Sequence, residues 1–312
     1  MSQTAMTTCR REACYAPDTT CVLGLDPCHH FSGAEHEPAG DADLDGQRLP
    51  WSGLALGTSD LPAVAALGRV HLVALVGAAG SGKTTCLAAH WLAARRGDGR
   101  YGRQFAGSYT LAGWHQISRH LQWGGDGQLG FPPHTTVVNN RVPSLLHAAF
   151  FDAGAVRHVV FADVPGEWYR AWAFDVHAVV GATWIADNAD SFVLLADSKA
   201  LSGAERGEAR GNYSALARRV ASVRGDRPLV AVRTKADVEV PQPVREHVES
   251  LNRDLFDVDT VTVSVQEVAG GSLTDVIDAG VAATLAPRLV AAAGAPSGAD
   301  PFLRFRSPAG GP

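Results

Sequence analysis

The sequence predicts an α/β chain on a doubly wound, mostly parallel sheet with one antiparallel hairpin strand. Three observations carry that expectation: short apolar runs recur along the chain, stretches of helical length separate them, and a glycine-rich turn follows the first run. With 312 residues, 46% of them hydrophobic, one large core can be buried beside a small appendage.

The first run, 69–76 (RVHLVALV), ends at Gly77 and reads as a central parallel strand buried on both faces. Residues 83–96 have helical length, with Leu87, Trp91 and Ala94 on one face. Arg95 and Arg96 suit the C-terminal dipole of that helix, and Gly97 stops it. Further buried runs fall at 158–162, 191–196 and 228–232, while 260–265 alternates more clearly. Residues 272–290 read as a closing helix. Residues 144–151 and 157–162, joined across Asp152-Ala153-Gly154, form the hairpin that adds the antiparallel strand. Within the long 97–142 connection, 110–123 reads as a short helix, with Thr110 as N-cap and Leu111, Trp114, Ile117 and Leu121 facing inward. No internal repeat of solenoid period is present.

Four regions follow: a cysteine-bearing segment over 1–31, a linker with a short helix over 32–68, the main domain over 69–294, and a Gly/Pro/Ala-rich tail over 295–312. The net charge of -5 argues against a bulk electrostatic nucleic-acid binder. Arg10 and Arg11 are not followed by an apolar signal-peptide core, and Asp187, Pro287 and Arg288 break the longest apolar stretches. The expectation is a cytoplasmic protein that does not enter the membrane.

Residues 77–84 read Gly-Ala-Ala-Gly-Ser-Gly-Lys-Thr, a match to G-x-x-x-x-G-K-[ST] with a strand before it and a helix after it. Gly77, Gly80 and Gly82, with Ser81, let backbone N–H groups turn inward around phosphate oxygens. Lys83 brings a compact ammonium to the β/γ-phosphates, and the Thr84 hydroxyl suits Mg²⁺, with Thr85 beside it in the nucleotide-binding set. The whole chain holds three lysines, Lys83, Lys199 and Lys235, so a position that keeps one needs a point charge rather than a planar fork. This segment makes a P-loop NTPase the expected fold.

Downstream, an apolar run delivers Asp163 at its carboxyl end, within Asp163-Val164-Pro165-Gly166. Asp163 is placed to hold Mg²⁺ through a water, and the Gly166 N–H to meet a γ-phosphate oxygen. A third element, Thr234-Lys235-Ala236-Asp237, directly follows the 228–232 run. The Asp237 carboxylate can accept from the ring N–H and exocyclic amine of guanine, a donor pair that adenine lacks. The Lys235 stem can cover the base face.

Together these residues resemble the translation-factor-related (TRAFAC) class of GTPases over roughly 69–290. Gly77–Thr84 is similar to their G1 motif, Asp163–Gly166 to D-x-x-G, and Thr234–Asp237 to a T-K-x-D variant of N-K-x-D. Ser264 sits where their S-A-x base loop would fall. The resemblance implies GTP and GDP as ligands and Mg²⁺ as cofactor. It also implies a γ-phosphate-sensing switch threonine just before the hairpin strand, for which Thr135 and Thr136 both fit. Thr234 stands where Asn is usual, which removes an amide that braces the P-loop and implies lower affinity. Glu167 occupies the position of a water-orienting Gln. Two roles stay open for it: pointing away, with turnover slow until a partner supplies an arginine, or acting as a water-positioning base.

Cys9, Cys14, Cys21 and Cys28 crowd the first tenth of the chain, followed by His29 and His30. They can furnish a Cys₄ zinc site, or Cys₃His with either histidine as substitute, at a spacing looser than a C-x₂-C knuckle. Neighbouring Asp18, Asp26, Glu35 and Glu37 favour a structural or protein-docking role over nucleic-acid binding. Cys86, on the P-loop helix, reads as a small core residue. The cluster joined to a GTPase domain resembles bacterial double-GTPase proteins of conflict or signalling systems, which implies a regulatory or effector partner. The expected function is a GTP-binding switch with slow, partner-stimulated hydrolysis. An ATP-dependent ATPase or kinase, or a non-hydrolysing nucleotide-binding scaffold, stands as the alternative.

Overall fold

The computed structural model of the chain describes residues 53–96, 103–121, 143–264 and 273–286. A short helix, α1 (Leu61–Ala65), leads into β1 (Val70–Gly77), and α2 (Lys83–Arg96) follows the glycine-rich turn. Then come β2 (Gln104–Gly107), α3 (Leu111–Ser118), β3 (Leu145–Asp152) and β4 (Ala155–Ala162). The second half runs α4 (Gly166–Phe174), α5 (Val180–Asn188), β5 (Ser191–Asp197), α6 (Ser198–Ser202) and α7 (Arg206–Arg224). It ends with β6 (Leu229–Thr234), α8 (Gln242–Phe256), β7 (Thr260–Thr262) and α9 (Leu273–Leu285).

The strands form one seven-stranded sheet in the order β2-β3-β4-β1-β5-β6-β7. β3 pairs antiparallel with both of its neighbours, and every other pairing is parallel. The expected α/β fold with a single reversed strand is therefore the one observed. The hairpin turns at Ala153 and Gly154, which take φ of 48° and 81°. Positive φ at both central residues matches the twist of the flanking strands.

Strand alternation explains why the apolar runs are unbroken. Leu72, Ala74 and Val76 of β1 enter a core shared with Trp172 of α4, Ile185 of α5, Leu216 of α7 and Val248 of α8. Val73 and Leu75 enter the opposite core with Leu87 of α2, Trp114 of α3 and Ile277 of α9. Each face of the sheet is covered by helices, so neither register can be polar.

Several boundaries differ from those expected. β2 has no counterpart in the sequence reading: Gln104, Phe105 and Ala106 are exposed at the sheet edge, so the segment lacks the apolar alternation that marks a half-buried strand. β7 stops at Thr262, although Val263 N still donates to Arg233 O at 2.9 Å. Within 110–123, the helix proper is Leu111–Ser118, followed by a short 3₁₀ turn to Leu121. Leu111 faces outward at 45% exposure, whereas Trp114 is fully buried.

Thr110 occupies the N-cap position but its side chain does not cap. Its hydroxyl instead accepts from His147 N at 2.8 Å and donates to His147 O at 3.3 Å. Ser108 Oγ and Trp114 Nε1 also donate to that carbonyl, at 2.5 and 2.7 Å. β2 ends before it can pair this part of β3, so Ser108 and Thr110 of the β2–α3 connection and Trp114 of α3 satisfy the strand's backbone groups.

The same contact fixes a histidine tautomer. His147 Nδ1 lies 3.1 Å from Tyr109 N and must accept, so its Nε2 donates to His158 Nδ1 at 3.1 Å and both rings are neutral. Burial first, and then His158, pushes His147 down from 6.5 to about 4. Burial likewise lowers His90 to about 4, with Arg103 adding to it. Between pH 6.5 and 4 the unfolded chain therefore binds protons that the folded chain refuses, and stability falls as pH is lowered through that window. Urea midpoints measured from pH 7 to 4 should decline, and His147→Gln should make the decline shallower. An equal slope in the variant would exclude His147 as a contributor. No helix among the described residues is long and apolar enough to cross a membrane.

Candidate functional site

Four strand-to-helix turns meet at the carboxyl ends of β1, β4, β5 and β6, where open α/β sheets bind ligands. The first is the glycine-rich loop. Gly80 and Gly82 take φ of 71° and 88°, a region glycine enters without a Cβ penalty. A Cβ on Gly77 would stand 2.5 Å from Ser81 Oγ and 3.1 Å from the Leu195 carbonyl. These constraints curl the loop back over β1, so that α2 begins at Lys83 with its N-terminal N–H groups facing the loop. Lys83 is buried, and its Nζ donates to Gly77 O at 3.1 Å and Ala78 O at 3.0 Å. Thr85 follows in the first turn of α2, half-buried.

Asp163 leaves β4 buried beside that lysine. Thr84 Oγ1 lies 3.0 Å from each Asp163 carboxylate oxygen. Burial pushes the Asp163 carboxyl up, while Lys83 and the Thr84 hydrogen bond pull it down. Burial lowers Lys83 in turn, and Asp163 and then Glu167 oppose that shift. Each charge thus offsets part of the desolvation that disfavours the other's ionised form. Among the described residues no group of three or more His, Cys, Asp and Glu gathers around a metal position. One carboxylate and one hydroxyl, both hard oxygen donors, suit a Mg²⁺ that takes its remaining ligands from phosphates and water.

Gly166 starts α4 against the glycine-rich loop. A Cβ there would lie 2.0 Å from Ala79 N and 2.3 Å from Ala78 C, so only glycine permits the approach. Glu167 is exposed in the first turn of α4, while Trp168 is 7% exposed in the core beneath it.

The fourth turn follows β6. Thr234 Oγ1 donates between Ser81 O at 2.9 Å and Ala196 O at 3.2 Å. Thr234 lacks the amide that the resemblance places there, but its hydroxyl reaches the loop carbonyl from β6 directly, so the loop keeps a brace at this position. Ala236 N donates to Val263 O at 3.0 Å, and Ser264 Oγ donates to Asp237 Oδ1 at 2.5 Å. The Asp237 carboxylate and the Ser264 hydroxyl thus share one edge at the ends of β6 and β7. Lys235 Nζ pairs with Asp197 Oδ2 at 2.7 Å.

The structure gathers Gly77, Gly80, Ser81, Gly82, Lys83, Thr84, Asp163, Gly166 and Thr234 around one loop, and joins Lys235, Asp237 and Ser264 to it through Thr234. The candidate switch threonines Thr135 and Thr136 lie outside the described residues, as do Cys9, Cys14, Cys21, Cys28, His29 and His30. Sequence reasoning passed over Asp197 and Ser198. Their signal was available: a polar pair at the carboxyl end of a buried strand, the same placement that singled out Asp163. Lys199, the third lysine, is exposed, and its backbone N–H donates to Asp197 Oδ1 at 2.9 Å.

A family model described as Double-GTPase 2 matches residues 71–287, which spans β1 through α9. The comparison with curated proteins finds no match.

The Thr234 hydroxyl generates a prediction. Thr234→Val leaves the buried Ser81 and Ala196 carbonyls short of a donor, a cost of about 1–2 kcal/mol. Nucleotide dissociation constants measured by titration should rise roughly tenfold in Thr234→Val. Thr234→Asn should change affinity by less than about threefold, because the brace already exists. A large gain in Thr234→Asn would show that the hydroxyl is a poor substitute for the amide.

Proposed function

Because the chain belongs to the Double-GTPase 2 family of P-loop GTPases, we propose that it is a GTP-dependent switch whose slow hydrolysis is accelerated by a partner protein. The observation that carries this reading is the single hydroxyl of Thr234, which ties the phosphate loop at Ser81 to the loop bearing Asp237. A nucleotide spanning the two would meet both ends at a fixed separation.

Each residue then has a task its chemistry suits. Backbone N–H groups of 80–84 cradle the β- and γ-phosphates, and Lys83 swings its ammonium from the loop carbonyls onto them. Thr84 and Asp163 would hold Mg²⁺, which supplies neutralisation of phosphate charge. Gly166 offers its N–H at the start of α4, where loss of the γ-phosphate would be felt first. Asp237, oriented by Ser264, accepts from the two N–H donors of guanine. An adenine nucleotide would leave that carboxylate without a partner, which is how the reading differs from an ATPase or kinase. Val164 and Pro165 after Asp163 also leave no second acid there to polarise a water.

Glu167 sits exposed in the first turn of α4, where its charge suits the helix dipole. It can accept from a water but cannot donate to a transferring phosphoryl group, so the chain lacks a donor at that position. A partner supplying an arginine would fill it. The amino-terminal cysteines keep their reading as a structural zinc site, to be decided by metal analysis of the purified protein.

Two measurements test the switch. GTP and GDP should bind at least about a hundredfold more tightly than ATP, and Asp237→Asn should move preference to xanthine nucleotides. Equal affinity for ATP would end the guanine assignment. Single-turnover hydrolysis by the isolated chain should be slow, and Glu167→Ala should alter it by less than about tenfold. A fast rate that collapses in Glu167→Ala, with affinity unchanged, would make Glu167 catalytic.

A further inference from the structure

Among the described residues, three other than glycine take a left-handed backbone: Ala153, Lys235 and Asp257. Ala153 turns the hairpin, and Asp257 ends α8 as a left-handed cap. Lys235 has no such excuse. A turn does close from Val238 N to Lys235 O at 2.9 Å, but Lys235 is its first residue and the turn places no demand on its φ of 56°. A strained backbone persists only where its surroundings over-determine it, and such positions cluster at functional sites.

The surroundings here are the end of β5. Asp197 stands opposite Thr234 in the parallel β5–β6 register. One of its carboxylate oxygens pairs with Lys235 Nζ at 2.7 Å, and the other accepts from Lys199 N at 2.9 Å to open α6. The Asp197 side chain is 10% exposed and that of Lys235 33%. The next residue, Ser198, is buried and donates to Thr234 O at 2.6 Å. Two consecutive residues of the β5–α6 turn therefore hold the Thr234–Lys235 step, one by its carbonyl and one by its side chain.

We propose that Asp197 is a positioning residue for the nucleotide base: it holds the Lys235 ammonium so that the four-carbon stem stands as a fixed apolar wall against the purine face. The proposal rests on the guanine reading above and deepens it. A free lysine would lose its rotamer freedom each time a base docked against it; the ion pair removes that loss in advance. The division of labour is clear in chemical terms. Asp237 reads the hydrogen-bonding edge of the base, and the Lys235 wall touches the ring face, which guanine and hypoxanthine share.

The test is a double-mutant cycle on nucleotide binding. Dissociation constants for GDP and IDP, the latter lacking the exocyclic amine, are measured for the full chain, Asp197→Asn, Lys235→Ala and the double variant. Asn at 197 keeps an acceptor for Lys199 N, so the opening of α6 is retained. Asp197→Asn should weaken GDP and IDP equally, on the order of tenfold, and should add less than about twofold in the Lys235→Ala background. Unchanged GDP affinity in Asp197→Asn, full additivity in the double variant, or a loss confined to GDP would each overturn the positioning role. ADP is included as a control. A wild-type chain that holds ADP as tightly as GDP would fail the guanine reading and this proposal with it, whereas a preserved GDP preference with an inert Asp197→Asn fails the positioning role alone.

Discussion

The site depends on backbones lying closer together than side chains permit. Gly166 rests on the Ala78–Ala79 step at a distance where any Cβ would overlap main-chain atoms, and Gly77 is nearly as confined between Ser81 and Leu195. These two approaches bring the ends of β1 and β4 into one cradle and leave Lys83 and Asp163 buried side by side. A lone buried charge would cost several kcal/mol, so neither residue is tolerable without the other. The close packing thus sets the electrostatics, and the electrostatics set what the cradle can receive: an anion for the ammonium, a hard cation for the carboxylate and the Thr84 hydroxyl.

The two faces of the sheet divide the consequences. α2, which carries Lys83 and Thr84, packs in the core with α3 and α9. α4, which starts at Gly166, packs in the opposite core with α5 and α7. Interiors are close-packed and hard to compress, so a displaced backbone passes its strain to whatever it touches. The strand ends are where the two layers meet, so a shift of Gly166 reaches α2 most directly through the loop itself. That arrangement suits an element whose position reports on a phosphate.

Much of this was legible in the amino-acid sequence, because burial on both faces writes an unbroken apolar run and phosphate chemistry writes glycines at fixed spacing. β1, β4, β5 and β6 fell close to where the runs put them, and the Ala153-Gly154 turn was marked by its residues. β2 was not legible, since four edge residues with three exposed in succession carry no period. The side chain of Thr110 was misread for a related reason. Local rules favour a helix cap, but the unpaired carbonyl of His147 on a strand distant in sequence outbid them. The place of Asp197 at the carboxyl end of a buried strand was legible, but its task was not, because no local pattern announces the Lys235 partner 38 residues away.

Thr234 shows how a departure from a familiar motif is to be weighed. Read as a residue type, threonine is shorter than asparagine and has lost an amide, which suggests a weaker site. Read in place, its hydroxyl already lies within hydrogen-bonding distance of both Ser81 O and Ala196 O. The loop is held by Gly77 and Gly166 and the strand by the β5 pairing and Ser198, so the gap between them is set independently of the residue that bridges it. The brace is therefore a property of the distance between two backbones, and the residue that spans it is chosen by that distance.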